Sequence, residues 1–227
     1  MEKDKKAERR SYLCEVRAEN GAAETESIIE GRPIVYGSRT DLGWFDEIID
    51  AGALDKADLT DVRFLVNHDL SKIPLARSRN NNMNSTMQLR PNENGLDISA
   101  RIDIGNNADA RALDSAVRRG DISGMSFMFF VDGESWEDLE SDHPTRHVTE
   151  ISRVVEVSAV TFPAYEDTEI YARSNEALES ARRTLESART QRAAAVQTPA
   201  ADNKTANELE LAKAKLAFTT ITGGTTK

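Results

Sequence analysis

A serine inside an apolar run is the first residue of this chain that could do chemistry. Ser126 lies in GDISGMSFMFFVDG, residues 120–133. Strict alternation there puts Met125, Phe127, Phe129 and Val131 on one face of a strand and Gly124, Ser126, Met128 and Phe130 on the other. Both faces are largely apolar, and such a strand loses packing and backbone order by carrying glycine and gains little from an unpaired hydroxyl. A nucleophilic role accounts for Ser126, with Gly124 leaving space for a substrate backbone to approach. A serine hydroxyl is inert until a base takes its proton, and imidazole is the base suited to neutral pH.

Three histidines are available: His68, His143 and His147. His68 follows the apolar run VRFLV and opens NHDLSKIPLARS, so it stands at a strand end, where a side chain can reach a cleft. A third group must fix the imidazole tautomer and stabilise imidazolium, a task for a buried carboxylate. RHVTEISRVVEVSAVTFPAY supplies Glu150 and Glu156, each interrupting a β-branched run and each needing a partner if buried. Glu150, Glu156 and His147 all stand as contenders for that task. Asp69 adjoins His68 and points the opposite way along a strand, so it does not orient that ring. A metal site from His143, His147 and Glu150 in HPTRHVTE fits no zinc spacing, and Pro144 disrupts helical pairing. No metal and no cofactor is expected.

These residues must be positioned by short strands. YLCEVRA places Tyr12, Cys14, Val16 and Ala18 on one face, and GLDISARIDI does the same with Leu96, Ile98, Ala100, Ile102 and Ile104. RPIVYG, DVRFLVNHD, STMQLRP, SGMSFMFFV and RVVEVSAVTF add further strands, so the body is mainly β with flanking helices. AGALDKADLTD predicts a short helix. NADARALDSAVRRGD predicts a better one, with Leu113 and Val117 one turn apart and Gly120 as its stop, leading directly into the serine strand. The expected organisation is a flexible N-terminus over residues 1–11, a body over 12–173, and a helical, partly disordered tail over 174–227. The tail is rich in Ala, Glu, Arg and Thr, breaks at TPAADN, and carries one thin apolar stripe through Leu178 and Leu185.

Composition narrows the function classes. The 227 residues are 39% hydrophobic and 30% charged, with a net charge of -10. An excess of carboxylates argues against a nucleic-acid surface, which needs clustered Lys and Arg. The longest strongly apolar run, FMFFV, is far too short to span a bilayer, and MEKDKKAERR has no apolar core of a targeting signal, so no membrane partner is expected. The single cysteine, Cys14, can make no internal disulfide and reads as a small core residue.

VNHD with IPLARS, then ISGMSFMF, then TEISRVVEVSAVTFPAYEDT, in that order, resemble the prohead maturation proteases of lambdoid tailed bacteriophages, themselves distantly similar to the herpesvirus assemblins. The resemblance covers residues 12–172 and leaves the tail outside. It implies a serine endopeptidase on a compact assemblin-like β-barrel ringed by a few helices. It also implies a substrate, the scaffolding segment of the major capsid protein inside the immature prohead in the host cytoplasm, and self-cleavage that removes the tail. The catalytic set it implies is His68 as base, Ser126 as nucleophile and, in the matching region, Glu150 as orienting acid in preference to Glu156 and His147. Assemblins carry a histidine as third member, so the acid departs from their pattern. Their arginine-containing loop suggests the backbone at Arg153 as an oxyanion donor. Assemblins act as dimers, so the resemblance allows a homo-oligomer, although no apolar stripe here requires one. The rival reading is a non-catalytic scaffolding or assembly protein that binds capsid subunits through the helical tail.

Overall fold

The computed structural model describes residues 6–162 and 168–197. Two sheets carry the described body. The larger has seven strands: β1 (Glu8–Leu13), β4 (Arg39–Asp41), β5 (Asp46–Ile49), β6 (Asp61–Val66), β7 (Ala76–Arg79), β10 (Gly124–Glu137) and β11 (Thr145–Val160). Its main path runs β1-β10-β11-β5-β4, with β6 on β11 and β7 on β6. The smaller sheet has four strands in the order β2 (Arg17–Asn20), β3 (Glu26–Val35), β9 (Gly95–Asp103) and β8 (Met87–Asn92).

The mainly β expectation is therefore met, and the closed barrel is corrected to two open sheets among the described residues. The reason lies in β11, whose 16 residues pair with β10 along one edge and divide the other edge between two short strands. Its first part pairs in parallel with β5, Thr145 to Asp46 through Val148 to Ile49. Its last part pairs in parallel with β6, Glu156 to Arg63 through Ala159 to Val66. β1, β4 and β7 remain as edges.

Alternation is obeyed where the sequence shows it. Met125, Phe127 and Phe129 are fully buried in the main core with Phe64, Ile29, Ile98 and Val157. The Phe127 and Phe129 rings stack at 4.6 Å, and Tyr12 lies parallel to Phe127 at 6.2 Å. The run YLCEVRA divides, its first residues ending β1 and its last opening β2, because the chain crosses there from one sheet to the other. Cys14 sits half-buried against the core, and burial pushes its thiol up, away from the thiolate a nucleophile needs.

Helix α1 (Ala108–Arg119) is the one predicted from Leu113 and Val117, both buried with Ala110. The Asn107 side chain caps its N-terminus by accepting from the Asp109 and Ala110 amides. Gly120, at φ 78°, closes it in the left-handed conformation. The short helix expected over AGALDKADLTD is instead a series of turns. Gly52 at φ 85° leaves the helical region at the second residue of that stretch. A second helix, α2 (Thr168–Gln197), follows β11. The chain divides into two compact units at Glu179 and Ser180, within α2. In the first unit Leu178 is buried with Leu42 and Phe45. The remainder of the predicted tail, from residue 198 on, lies outside the described residues.

The body begins earlier than the predicted Tyr12, since β1 starts at Glu8 in the segment expected to be flexible. Charge explains the difference. Arg10 is 4% exposed and its guanidinium donates to Glu47 from Nε at 2.5 Å and from Nη2 at 2.7 Å. Arg146, equally buried, donates to Glu8 and Glu47 at 2.8 and 2.9 Å and bridges Glu134 at 2.6 Å. Five charges on four strands thus satisfy one another, Arg10, Arg146 and Glu47 out of water, which fixes β1 along the edge of β10.

Burial alone would raise the carboxyl of Glu8, but Arg10 and Arg146 outweigh it and hold it at about 2 instead of 4.5. A carboxylate depressed on folding stabilises the protein above its unfolded value and loses that contribution as pH falls towards the folded value. Glu8→Gln is therefore expected to cost about 3 kcal/mol near neutral pH. Thermal melts between pH 7 and pH 2 should show the wild-type advantage intact down to about pH 4.5 and gone near pH 2. A constant difference across that range would contradict the assignment.

Candidate active site

Registers across β1, β10, β11 and β6 place the chemistry. Ser11, Ser126, Ser158 and Leu65 form one transverse row, and Arg9, Met128, Glu156 and Arg63 the next but one. Directly opposed residues point to the same side of a sheet, so these two rows share a face. The row between them, Arg10, Phe127, Val157 and Phe64, points the other way, into the core with its three apolar members. One side of the sheet is thus packed with aromatic and branched side chains. The other collects Ser126, Ser158 and Glu156, all at 0% exposure.

His68 joins this face from the end of β6. Asn67 and His68 both have positive φ, 50° and 57°, a left-handed pair that costs energy and persists only when its surroundings fix it. The fixing bonds are on both sides. The Asn67 amide donates to the Ala159 carbonyl at 3.0 Å, its Nδ2 donates to Thr161 Oγ1 at 3.0 Å, and its Oδ1 accepts from the Thr161 amide at 2.9 Å. The His68 amide donates to Ser158 Oγ at 3.2 Å.

So held, the imidazole meets Glu156, with Nδ1 2.6 Å from Oε1. The second carboxylate oxygen accepts from Ser158 Oγ at 2.6 Å. A carboxylate only accepts, so in the neutral imidazole the proton belongs on Nδ1 and Nε2 carries the lone pair that a general base requires. The network closes on Glu156, while the His68 side chain as a whole keeps 14% exposure. Ser126 Oγ, one strand from Ser158, donates to the Arg10 carbonyl of β1 at 2.7 Å.

Glu150 does not occupy the expected place behind the ring, and Glu156 does. Six residues separate them on one strand, which at about 3.3 Å per residue is roughly 20 Å. β6, which delivers His68, pairs with residues 156–159, so only the far end of β11 is within its reach. Glu150 instead accepts from Lys56 at 3.2 Å at the surface. Glu150→Gln is accordingly expected to change kcat/KM by less than about twofold, as do most surface substitutions; a loss above tenfold would restore Glu150 to the site.

His147 is likewise elsewhere, its Nδ1 2.8 Å from Asp50 and its Nε2 3.5 Å from Glu137. The bond to Asp50 raises its pKa. His143 lies 3.2 Å from Asp46 and 3.8 Å from Asp41, so His143, His147 and Glu150 hold three separate partners and form no metal site. Asp41, Asp46 and His143 come within 4.8 Å of one another among the described residues, at a surface where Arg39 already pairs with Asp46. Arg153 stands opposite Phe130, four residues along β10 from Ser126. That is about 13 Å, beyond the reach of an amide that would hold an oxyanion there.

Two contributors escaped the sequence reading. Ser158 carries the signal of position, two residues beyond Glu156 and hence on the same face. Asn67 carries the signal of type, since asparagine is among the few residues that adopt left-handed backbone readily.

A family model described as Caudovirus prohead serine protease matches residues 13–183. No curated protein matches the chain. A solved structure, the capsid assembly protease gp21 of bacteriophage T4, superposes with a TM-score of 0.44 at 15% identity, covering 70% of this chain and 99% of its own.

Proposed function

Because the chain belongs to the caudovirus prohead serine protease family, we propose that Ser126 is the nucleophile, His68 the general base and Glu156 the orienting acid of an endopeptidase acting inside the assembling prohead. The observation that carries this reading is the 2.6 Å contact between His68 Nδ1 and a fully buried carboxylate, on the sheet face that also carries Ser126. That contact leaves Nε2 as the basic nitrogen and prepares a counter-charge for the imidazolium of the reaction.

In the proposed cycle Ser126 Oγ turns about its Cα–Cβ bond from the Arg10 carbonyl towards His68 Nε2, which takes the hydroxyl proton. Oγ attacks the scissile carbonyl, and the tetrahedral intermediate expels the amine as His68 returns the proton to its nitrogen. Water, deprotonated by the same Nε2, then hydrolyses the acyl-enzyme. Ser158 is a poor rival for the nucleophile. Its proton is directed to Glu156, the same carboxylate that holds His68 Nδ1.

The proposed substrates are the scaffolding segment of the major capsid protein and the chain itself, with the tail as the removable piece. A fluorophosphonate reagent, which phosphonylates an activated serine with loss of fluoride, tests the site. Mass spectrometry of the digested full-length protein should locate the adduct on Ser126. An adduct on Ser158, or none, would overturn the assignment.

A further inference from the structure

We infer that the cavity between the His68 turn and α1 is a specificity pocket that receives one large apolar side chain of the substrate, next to the scissile bond. This rests on the proposed protease site and names what that site selects. The cavity has a volume of about 360 Å³, within the range of small-ligand pockets. Leu65, Val66, Leu75, Leu113, Ala116 and Ile122 line it.

Its walls are the segments that carry the reacting groups. Leu65 and Val66 end β6, with Asn67 and then His68 following. Ile122 precedes β10 and stands four residues before Ser126. Leu65 also belongs to the transverse row that contains Ser158 and Ser126, and it is buried yet lies outside the main core cluster. A chain laid across Ser126 and His68 therefore passes the mouth of this cavity.

The chemistry of the occupant follows from what the polar wall groups are already doing. Asn67 spends its side chain on Thr161. Asp69 accepts from the Ser71 amide at 3.0 Å and from Ser71 Oγ at 2.5 Å. Lys72 and Asp109 pair with each other at 3.3 Å across the gap between the turn and α1. With each of these side chains already holding a partner, a polar occupant would give up its water for little in return. A Leu, Ile, Met or Phe side chain loses nothing and gains the burial of its surface.

The test begins with the wild-type full-length chain acting on a mixed peptide library, with cleavage sites read by mass spectrometry. One position at a fixed distance from the cut should be enriched in Leu, Ile, Met or Phe. Peptides with Leu there should be cut with kcat/KM about 10- to 100-fold above those with Ala. Ala112→Phe and Ala116→Leu, which push side chains into the cavity from α1, should shrink that ratio towards one through a higher KM for the Leu peptide, while thermal melts report that each variant is folded. Cleavage with no apolar position, or a ratio unchanged in a folded variant, would overturn the pocket and leave the protease reading standing. Absence of any Ser126 adduct in the wild type would instead remove the protease reading beneath it.

Discussion

Ser126→Ala is expected to leave capsid protein uncut on co-expression and the full-length chain intact, with kcat lowered on the order of 10⁴- to 10⁶-fold against a peptide substrate. The size of the loss comes from the covalent step: without Oγ no acyl-enzyme forms, and only binding and transition-state hydrogen bonds remain. The fold should tolerate the change. The bond lost is one neutral hydrogen bond to the Arg10 carbonyl, worth about 1 kcal/mol, and β1 stays anchored by its ladder and by the Arg10 and Arg146 ion cluster. Ser158→Ala makes the matching control. It removes a donor to Glu156 and an acceptor for the His68 amide, and should lower kcat by about 10- to 100-fold, a positioning effect rather than abolition. Loss of all processing in Ser158→Ala, with activity retained in Ser126→Ala, would exchange the two serines.

Glu156→Gln carries the second large effect, about 10³- to 10⁴-fold in kcat with little change in melting temperature. The carboxylate accepts two hydrogen bonds at once, from His68 Nδ1 on one oxygen and from Ser158 Oγ on the other. A glutamine of the same shape offers one acceptor and one NH₂ donor. If its oxygen faces Ser158, its NH₂ faces Nδ1, which must then give up its proton and become the acceptor. The proton moves to Nε2, and the base is lost. If the oxygen faces the ring, the NH₂ meets the Ser158 hydroxyl, which must turn its own proton away. That arrangement keeps the tautomer and loses the countercharge for imidazolium. Either way the transition state suffers more than the folded state. Steady-state kinetics on the variant, with circular dichroism to establish folding, measure both. Turnover within tenfold of wild type would remove Glu156 from the catalytic group.

The elements that position the site were legible wherever the determining signal is local. Alternation through SGMSFMFF separated Met125, Phe127 and Phe129 from Ser126 before any strand was paired, and the placing of those three in the hydrophobic core, with Ser126 opposite Ser158, agrees with it. The Leu113 and Val117 spacing with Gly120 behind it marked α1 and its end. His68 was legible as a residue at a strand end, and the left-handed pair it forms with Asn67 was signalled only by the residue type of Asn67. The N-terminal boundary was misplaced because MEKDKKAERR looks solvated on its own. Arg10 becomes a buried residue because Glu47 comes to it from β5 and Arg146 shares that carboxylate from β11.

The choice of acid shows where local reading ends. Glu150 and Glu156 have the same type, the same parity and the same β-branched surroundings, so no property of the segment separates them. What separates them is that β6 pairs in parallel with the last residues of β11 and β5 with the first, which sets one carboxylate beside His68 and carries the other some 20 Å away to Lys56. The sequence by itself determined which residue types could make a nucleophile, a base and an acid, because side-chain chemistry and strand periodicity are properties of a few consecutive residues. The tertiary structure alone decided which of them meet, because strand register is fixed by contacts between segments almost a hundred residues apart and a shift of a few positions changes every neighbour.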